Sequence, residues 1–330
     1  MTHPRAAMLY PLKFQPIFKE RVWGARNLER LYRKPLPPSV PIGESWEISD
    51  RPGDVSVVAN GPLAGRDLRW LMENHARELL GNAAALNGRF PLLIKILDAQ
   101  DTLSLQVHPP ASKAVELKGE PKTEMWFITE AQPGAALFVG LRRGVTRAEF
   151  ERKIGDGTVA ECFHRHDVTA GDAMFLPSGR VHAIGAGNVI FEIQQNSDTT
   201  YRVFDWNRVG LDGQPRELHI PQSLASIDFN DFEPALESRR VEQCGDASVR
   251  RVAKCPLFAV EQIGLAADKS VSLPPQTMHI IGVVSGDITV EFTGENLPLC
   301  AGEICLVPAS VTARVKAGAA ASFLQAEAGR

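Results

Sequence analysis

Short apolar runs rich in Val, Ile, Phe and Leu recur along the chain, punctuated by prolines and glycines. Runs of this length and composition between turn signals read as strands. They predict strands at 45–49, 55–59, 92–97, 103–107, 124–128, 135–139, 173–176, 189–193 and 201–204. A polar stretch broken by prolines, 215–238, predicts a crossing segment. Strands then resume at 248–253, 257–263, 278–284, 287–292, 303–307 and 321–325. Helical signals are fewer: Asp67 precedes the run 68–80, Thr146 has Glu149 three residues on as a capping box, and 110–117 is a third candidate. Many short strands joined by Gly-containing turns predict a mainly β chain, a sandwich or barrel with a few appended helices.

An internal repeat suggests that one barrel occurs twice. Gly171, Pro177, Gly179 and His182 lie in a segment whose glycine-to-proline spacing returns at Gly302 and Pro308, with Ala313 where the second His would stand. The expected division is 1–235 and 236–330, with any metal in the first domain. At 330 residues the length alone fits about two domains.

Composition removes several function classes. The net charge of −3 comes from 36 basic and 39 acidic residues spread along the chain, so no basic run marks a nucleic-acid or membrane partner. An anionic ligand therefore needs a local basic pocket. The five cysteines are odd in number and show no Cys-x-x-Cys pair, which predicts reduced, buried thiols in a cytoplasmic protein. No signal-peptide pattern or membrane-length apolar run is present.

Strand period two places Gln106 and His108 on one face of the 103–108 run, with Leu105 and Val107 on the other. Lys122 and Glu124 likewise share a face. His182 follows the turn at Pro177 and Gly179, and Glu192 stands among Ile190, Phe191 and Ile193, where a charge needs a partner or a cavity. Gln106, His108, Glu124 and His182 form an N2O2 set suited to a borderline divalent cation, zinc first among them. Taken singly, a strand histidine is more often packed or exposed than a ligand, and Glu124 fits a solvated face equally well.

Residues 171–182 match the second motif of the cupin superfamily position by position, whereas the usual His-x-His first motif is replaced by Gln106-Val107-His108 with Glu124 sixteen residues on. That departure, together with Val22-Trp23-Gly24, the 42–49 segment, Lys122-Thr123-Glu124-Met125-Trp126 and the 192–206 segment, resembles the type I phosphomannose (mannose-6-phosphate) isomerases in their compact bacterial form. The resemblance implies a double cupin, jelly-roll fold and one Zn2+ per chain on Gln106, His108, Glu124 and His182. It further implies an active-site lysine and arginine at Lys122 and Arg202, and a family acidic residue at Asp198. Pro121 stands where the long form of the family carries a histidine, so no role transfers to that position. Trp46 is expected to be buried with hydrogen-bonded neighbours Glu44, Ser45 and Glu47, substrate contact being the lesser alternative.

The expected activity is aldose-ketose isomerisation of mannose 6-phosphate and fructose 6-phosphate through an enediol. Asp198 and Glu192 are the candidate bases, and Lys122 is a shuttle if burial depresses its pKa. The alternatives are a cupin metal-dependent oxygenase and a non-catalytic sugar-phosphate-binding cupin. Gln106 and the Lys122/Arg202 pair argue against the first, and the lack of a DNA-binding element argues against a regulator.

Overall fold

A computed structural model describes residues 9–329. The chain is mainly β, a double cupin built from antiparallel sheets. Its two compact units are discontinuous in sequence. One comprises Ile17–Trp46 and Leu93–Glu237; the other takes Glu47–Leu92 together with residues 9–16 and 238–329. The last crossover, at 237/238, lies beside the expected cut, but a contiguous 1–235 domain does not describe the first unit. The reason is local pairing: Leu12 bridges Leu306, Gly81 bridges Thr277, and the Ala309 amide donates to the Leu79 carbonyl, so the 68–80 helix packs with the C-terminal strands.

In the first unit one sheet runs in the order Ile17–Ala25, Ile42–Ile48, Leu92–Ala99, Asn188–Gln195, Glu124–Ala131, Ala173–Leu176. The facing sheet runs Tyr201–Phe204, Leu105–Val107, His182–Ile184, Ala136–Leu141, Phe163–Asp167. Alternation decides what each face does. Leu105, Val107, Ala183, Tyr201 and Val203 turn outward into a cluster with Phe150 and Phe163, so Gln106, His182 and Arg202 turn inward. Between the sheets, Trp23, Leu97, Trp126, Ile128, Leu137 and Ile190 fill part of the barrel with apolar packing. The remainder of the interior is polar, and that is where the site lies.

The second unit repeats the plan. Its sheets run Glu242–Cys244, Ala247–Lys254, Phe258–Leu265, Ala321–Ala328, His279–Ser285, Ile304–Val307, and Ser270–Ser272, Ala313–Ala317, Asp287–Phe292, Glu295–Cys300. The repeat seen in sequence is structural: Gly171 and Gly302 both take positive φ, +87° and +83°, each just before an edge strand. Ala313 opens its strand as His182 does. This interior is apolar, packed by Ile281, Val283, Val290, Val307 and Phe323.

Both capped helices form. Asp67 accepts from the Trp70 amide at 2.7 Å ahead of Leu68–Leu80, and Thr146 from the Glu149 amide at 3.2 Å ahead of Arg147–Gly155. The third helix shrinks to Ala111–Ala114, and the crossing segment carries a short helix, Ile220–Ser226. No cysteine is paired; Cys162 and Cys305 are buried, whereas Cys244 and Cys300 are exposed, contrary to the expectation of uniformly buried thiols. Both exposed thiols terminate strands at the border of their sheets.

Candidate active site

Three buried side chains meet at one point inside the first unit. The Nε2 atoms of His108 and His182 each lie 3.2 Å from Glu124 Oε1, and the three residues are at most 1% exposed. The two imidazoles are oriented from behind. His108 Nδ1 donates to the Thr199 carbonyl at 2.8 Å and His182 Nδ1 to the Arg180 carbonyl at 2.9 Å, which fixes the tautomer and leaves both Nε2 lone pairs pointing inward. The loop supplying the His182 contact is itself tied down. Arg180 is clamped by Asp231 and the Phe175 carbonyl, and the Gly179 amide, at φ +94°, donates to the His108 carbonyl. Gln106 lies beside the cluster, its amide nitrogen Nε2 3.3 Å from His182 Nε2.

Charge states reinforce this geometry. Burial lowers the pKa of both histidines, His182 to about 3, so the rings are neutral. Burial alone would raise the Glu124 carboxyl, but Lys122 and His108 outweigh it and hold the group well below the usual carboxylate range. Two lone pairs thus face Glu124 Oε1 with no proton between them, while Glu124 Oε2 makes no hydrogen bond and has only the Lys122 ammonium, 3.3 Å away, as an ion-pair partner. Such a knot of buried acceptors is unfavourable by itself and is satisfied by a cation. His108, Glu124 and His182 form the one candidate metal cluster among the described residues.

Beside the triad opens a cavity of about 580 Å³, within the range of small-molecule sites. A row of alternating charge crosses its floor from strand to strand. Arg21 Nε donates to Glu44 Oε1 at 2.6 Å, Lys95 Nζ lies 3.6 Å from Glu44 and 3.3 Å from Glu192, and Trp126 Nε1 donates to Glu192 Oε2 at 2.9 Å. Lys122 Nζ lies 3.3 Å from Glu124 Oε2. These residues belong to neighbouring strands or to the approach to one, so sheet order alone sets the sequence of charges. Burial would raise the Glu44 carboxyl, but Lys95 and Arg21 dominate and hold it at about 2. Glu192 moves the other way, because burial outweighs Lys95 and raises its pKa.

The comparisons with known proteins bear on this site. The pattern of the phosphomannose isomerase type I catalytic domain matches residues 11–125, a segment that contains Gln106, His108 and Glu124. The mannose-6-phosphate isomerase ManA of Bacillus subtilis is 37% identical over 302 residues, spanning 90% of this chain and 93% of that protein. The chain belongs to the type I mannose-6-phosphate isomerases. Another member, the mannose-6-phosphate isomerase of Streptococcus mutans, is 43% identical over 218 residues, spanning 66% of this chain and 67% of its own length. The crystal structure of the Bacillus subtilis mannose 6-phosphate isomerase superimposes with a TM-score of 0.88 at 29% identity, covering 96% of this chain and 99% of that one. A Salmonella typhimurium phosphomannose isomerase structure shares the fold, with a TM-score of 0.77 at 18% identity.

Within this isomerase family fold the eight residues singled out in sequence are placed as follows. Gln106, His108, Glu124 and His182 converge; Gln106, Lys122, Glu192, Asp198 and Arg202 line the cavity. Asp198 is exposed, at the rim, whereas Glu192 is buried. The condition set for Lys122 as a proton shuttle is not met in this arrangement. Burial pulls its pKa down, but Glu124, Glu192, Asp198 and Glu44 prevail and raise it. Trp46 is buried as expected, its Nε1 donating to Glu44 at 2.6 Å, and Glu44 also faces the cavity.

Sequence reasoning passed over Lys95, Arg21 and Arg216. Lys95 carried the same signal that singled out Glu192, a lone charge inside the apolar run 92–97. The Ile17–Ala25 strand was not predicted because Lys19, Glu20 and Arg21 interrupt it; Glu20 and Arg21 border the cavity rather than an apolar core.

Proposed function

We propose that this chain interconverts mannose 6-phosphate and fructose 6-phosphate, with one zinc ion held by Gln106, His108, Glu124 and His182. The observation that carries this is the convergence of two oriented, neutral imidazoles on one carboxylate, beside a charged cavity, in a chain of this isomerase family. The set of nitrogen and oxygen donors fits a borderline divalent cation. When bound, such an ion supplies Lewis-acid polarisation and charge neutralisation for substrate oxygens. We place the protein in the cytoplasm, in keeping with its five unpaired cysteines.

The reaction moves a proton between C1 and C2 through an enediol, so the chain must supply a proton carrier and fixed positive charge. Glu192 suits the first role. Burial raises its pKa above the ordinary carboxyl value, Trp126 fixes Oε2, and Oε1 carries no hydrogen bond, only the ion pair with Lys95 Nζ at 3.3 Å. Asp198, at the rim, is the second carboxylate within the lining. Lys122 and Arg202 supply the charge. Lys122 is held protonated by its carboxylate neighbours, and Arg202 lines the cavity with Nη1 on the Glu217 carbonyl and Nε unpartnered.

A two-His, one-carboxylate set also accommodates iron, which is the specific point in favour of an oxygenase. The family membership and the wall of cations favour the isomerase. Conversion of mannose 6-phosphate, assayed on chelated protein and after reconstitution with zinc or iron(II), tests the proposal. Turnover restored by zinc is expected. Absence of isomerase activity with any divalent metal, or oxygen consumption with iron, would overturn it.

A further inference from the structure

Downstream of the Tyr201–Phe204 strand, two guanidinium groups share one buried carboxylate. Asp205, 5% exposed, accepts from Arg208 (Nε 3.1 Å and Nη2 2.9 Å, both to Oδ1) and from Arg216 (Nε 2.7 Å to Oδ2, Nη2 2.5 Å to Oδ1). The two arginines differ in what they face. Arg208 turns to the Thr102 carbonyl at 2.6 Å and Asp101 at 3.3 Å and is absent from the cavity lining, whereas Arg216 lines the cavity with Arg202.

Counting charges isolates this wall. Arg21 and Lys95 are matched by Glu44 and Glu192, and Lys122 by Glu124. Arg202 has no carboxylate within ion-pair distance among the described residues, and Arg208 and Arg216 divide one between them. Glu20, Asp198 and Asp212 also line the cavity, but all three are exposed, where screening weakens their hold. Asp205 occupies Nε and one Nη2 proton of Arg216, leaving Nη1 and the second Nη2 proton as a preorganised pair of donors. Paired N–H groups on a planar cation match the oxygens of a phosphate.

We propose that Arg216, held by Asp205, binds the phosphate of the substrate and so selects phosphorylated over free sugar. The assignment rests on the proposed isomerase activity. It separates two tasks in one cavity: the sugar carbonyl end goes to the triad and Lys122, and the phosphate goes to the Arg216 wall.

The test uses the metal-loaded full chain, with inorganic phosphate as the probe in calorimetric titration and as an inhibitor of mannose 6-phosphate turnover. Arg216→Gln is expected to weaken phosphate binding and raise KM by about 10–100-fold, the loss of one charged hydrogen-bonding contact, with metal content unchanged. Arg208→Gln removes a partner of the same Asp205 outside the cavity and should change phosphate affinity less than about threefold. If the glutamine variant does not fold, Arg216→Lys carries the test, with weaker phosphate binding expected because the fork is lost. Wild-type phosphate affinity in the folded Arg216 variant, or an equal loss in Arg208→Gln, would show a structural role and overturn the assignment. A wild-type chain that binds phosphate but does not convert mannose 6-phosphate would instead overturn the isomerase proposal and leave the phosphate site standing.

Discussion

At the residue scale, the triad and the charged floor use opposite strategies for burying polar groups. His108, Glu124 and His182 present acceptors only, so His108→Ala and His182→Ala are expected to lose metal and activity together while the apolar half of the barrel keeps the fold. Metal analysis and circular dichroism on each variant check this, and retained metal with full turnover would exclude that histidine as a ligand. Lys95 illustrates the other strategy, a cation between two carboxylates and 4.9 Å from the Trp46 ring centroid. Lys95→Met leaves Glu44 and Glu192 facing one another, and should cost about 3–5 kcal/mol in urea denaturation. A loss under about 1 kcal/mol would mean the floor rearranges. Arg202 is not a ligand type, so Arg202→Ala should keep its metal yet lower kcat about 10²–10³-fold. Arg202→Lys should recover part of that. Unchanged turnover in both variants would reduce Arg202 to a strand cation.

At the element scale, strand alternation and caps explain why the residues arrive where they do. Gln106 lies opposite both His182 and Arg202 because the Leu105–Val107 strand pairs with strands on either side, Gln106 registering with His182 and with Arg202. A three-residue strand thereby carries a ligand candidate and aligns two neighbours. The helices act farther from the chemistry. Asp67→Ala removes the cap of Leu68–Leu80 and is expected to lower stability by about 0.5–2 kcal/mol, with Asp67→Asn close to wild type. Equal losses in both, read from chemical denaturation, would point to charge rather than capping.

At the scale of the whole molecule, the two units have one plan and different interiors. Ala313 opens its strand where His182 does, so metal content is expected at one ion per chain, and two protein-bound ions would contradict the assignment. Neutral buried histidines also make the metal-free protein acid-sensitive. His182 has a folded pKa near 3, against about 6.5 unfolded, so the unfolded chain binds the extra proton between those values. Stability is then complete above pH about 6.5 and falls as pH drops toward 3, by about 1.4 kcal/mol per pH unit for this group. His108, shifted in the same direction, steepens the slope. Urea midpoints of chelated protein at pH 7, 6 and 5 measure it, and a flat profile would contradict the neutral buried pair.

The sequence by itself determined the mainly β class, most strands, both caps, the repeat and the residues of the triad. Those features rest on local chemistry: period-two alternation, turn residues, and polar side chains at apolar positions such as Glu192. Only tertiary structure decided which charges meet. Arg21, Glu44, Lys95 and Glu192 are spread over more than 170 positions and become neighbours through sheet order. The strand Ile17–Ala25 was hidden for the same reason, since its polar positions break the apolar run and meet partners on another strand, Arg21 with Glu44 and Lys19 with Trp46. Phe163–Asp167 was hidden because four of its five residues are polar, Arg165 pairing with Asp167 inside the strand. The discontinuous units follow from pairings such as Leu12 with Leu306, whose energy appears once the two segments are side by side. Asp205 and Arg216 are an ordinary acid and base in the sequence; burial of the carboxylate and the cavity beyond it give the arginine its direction.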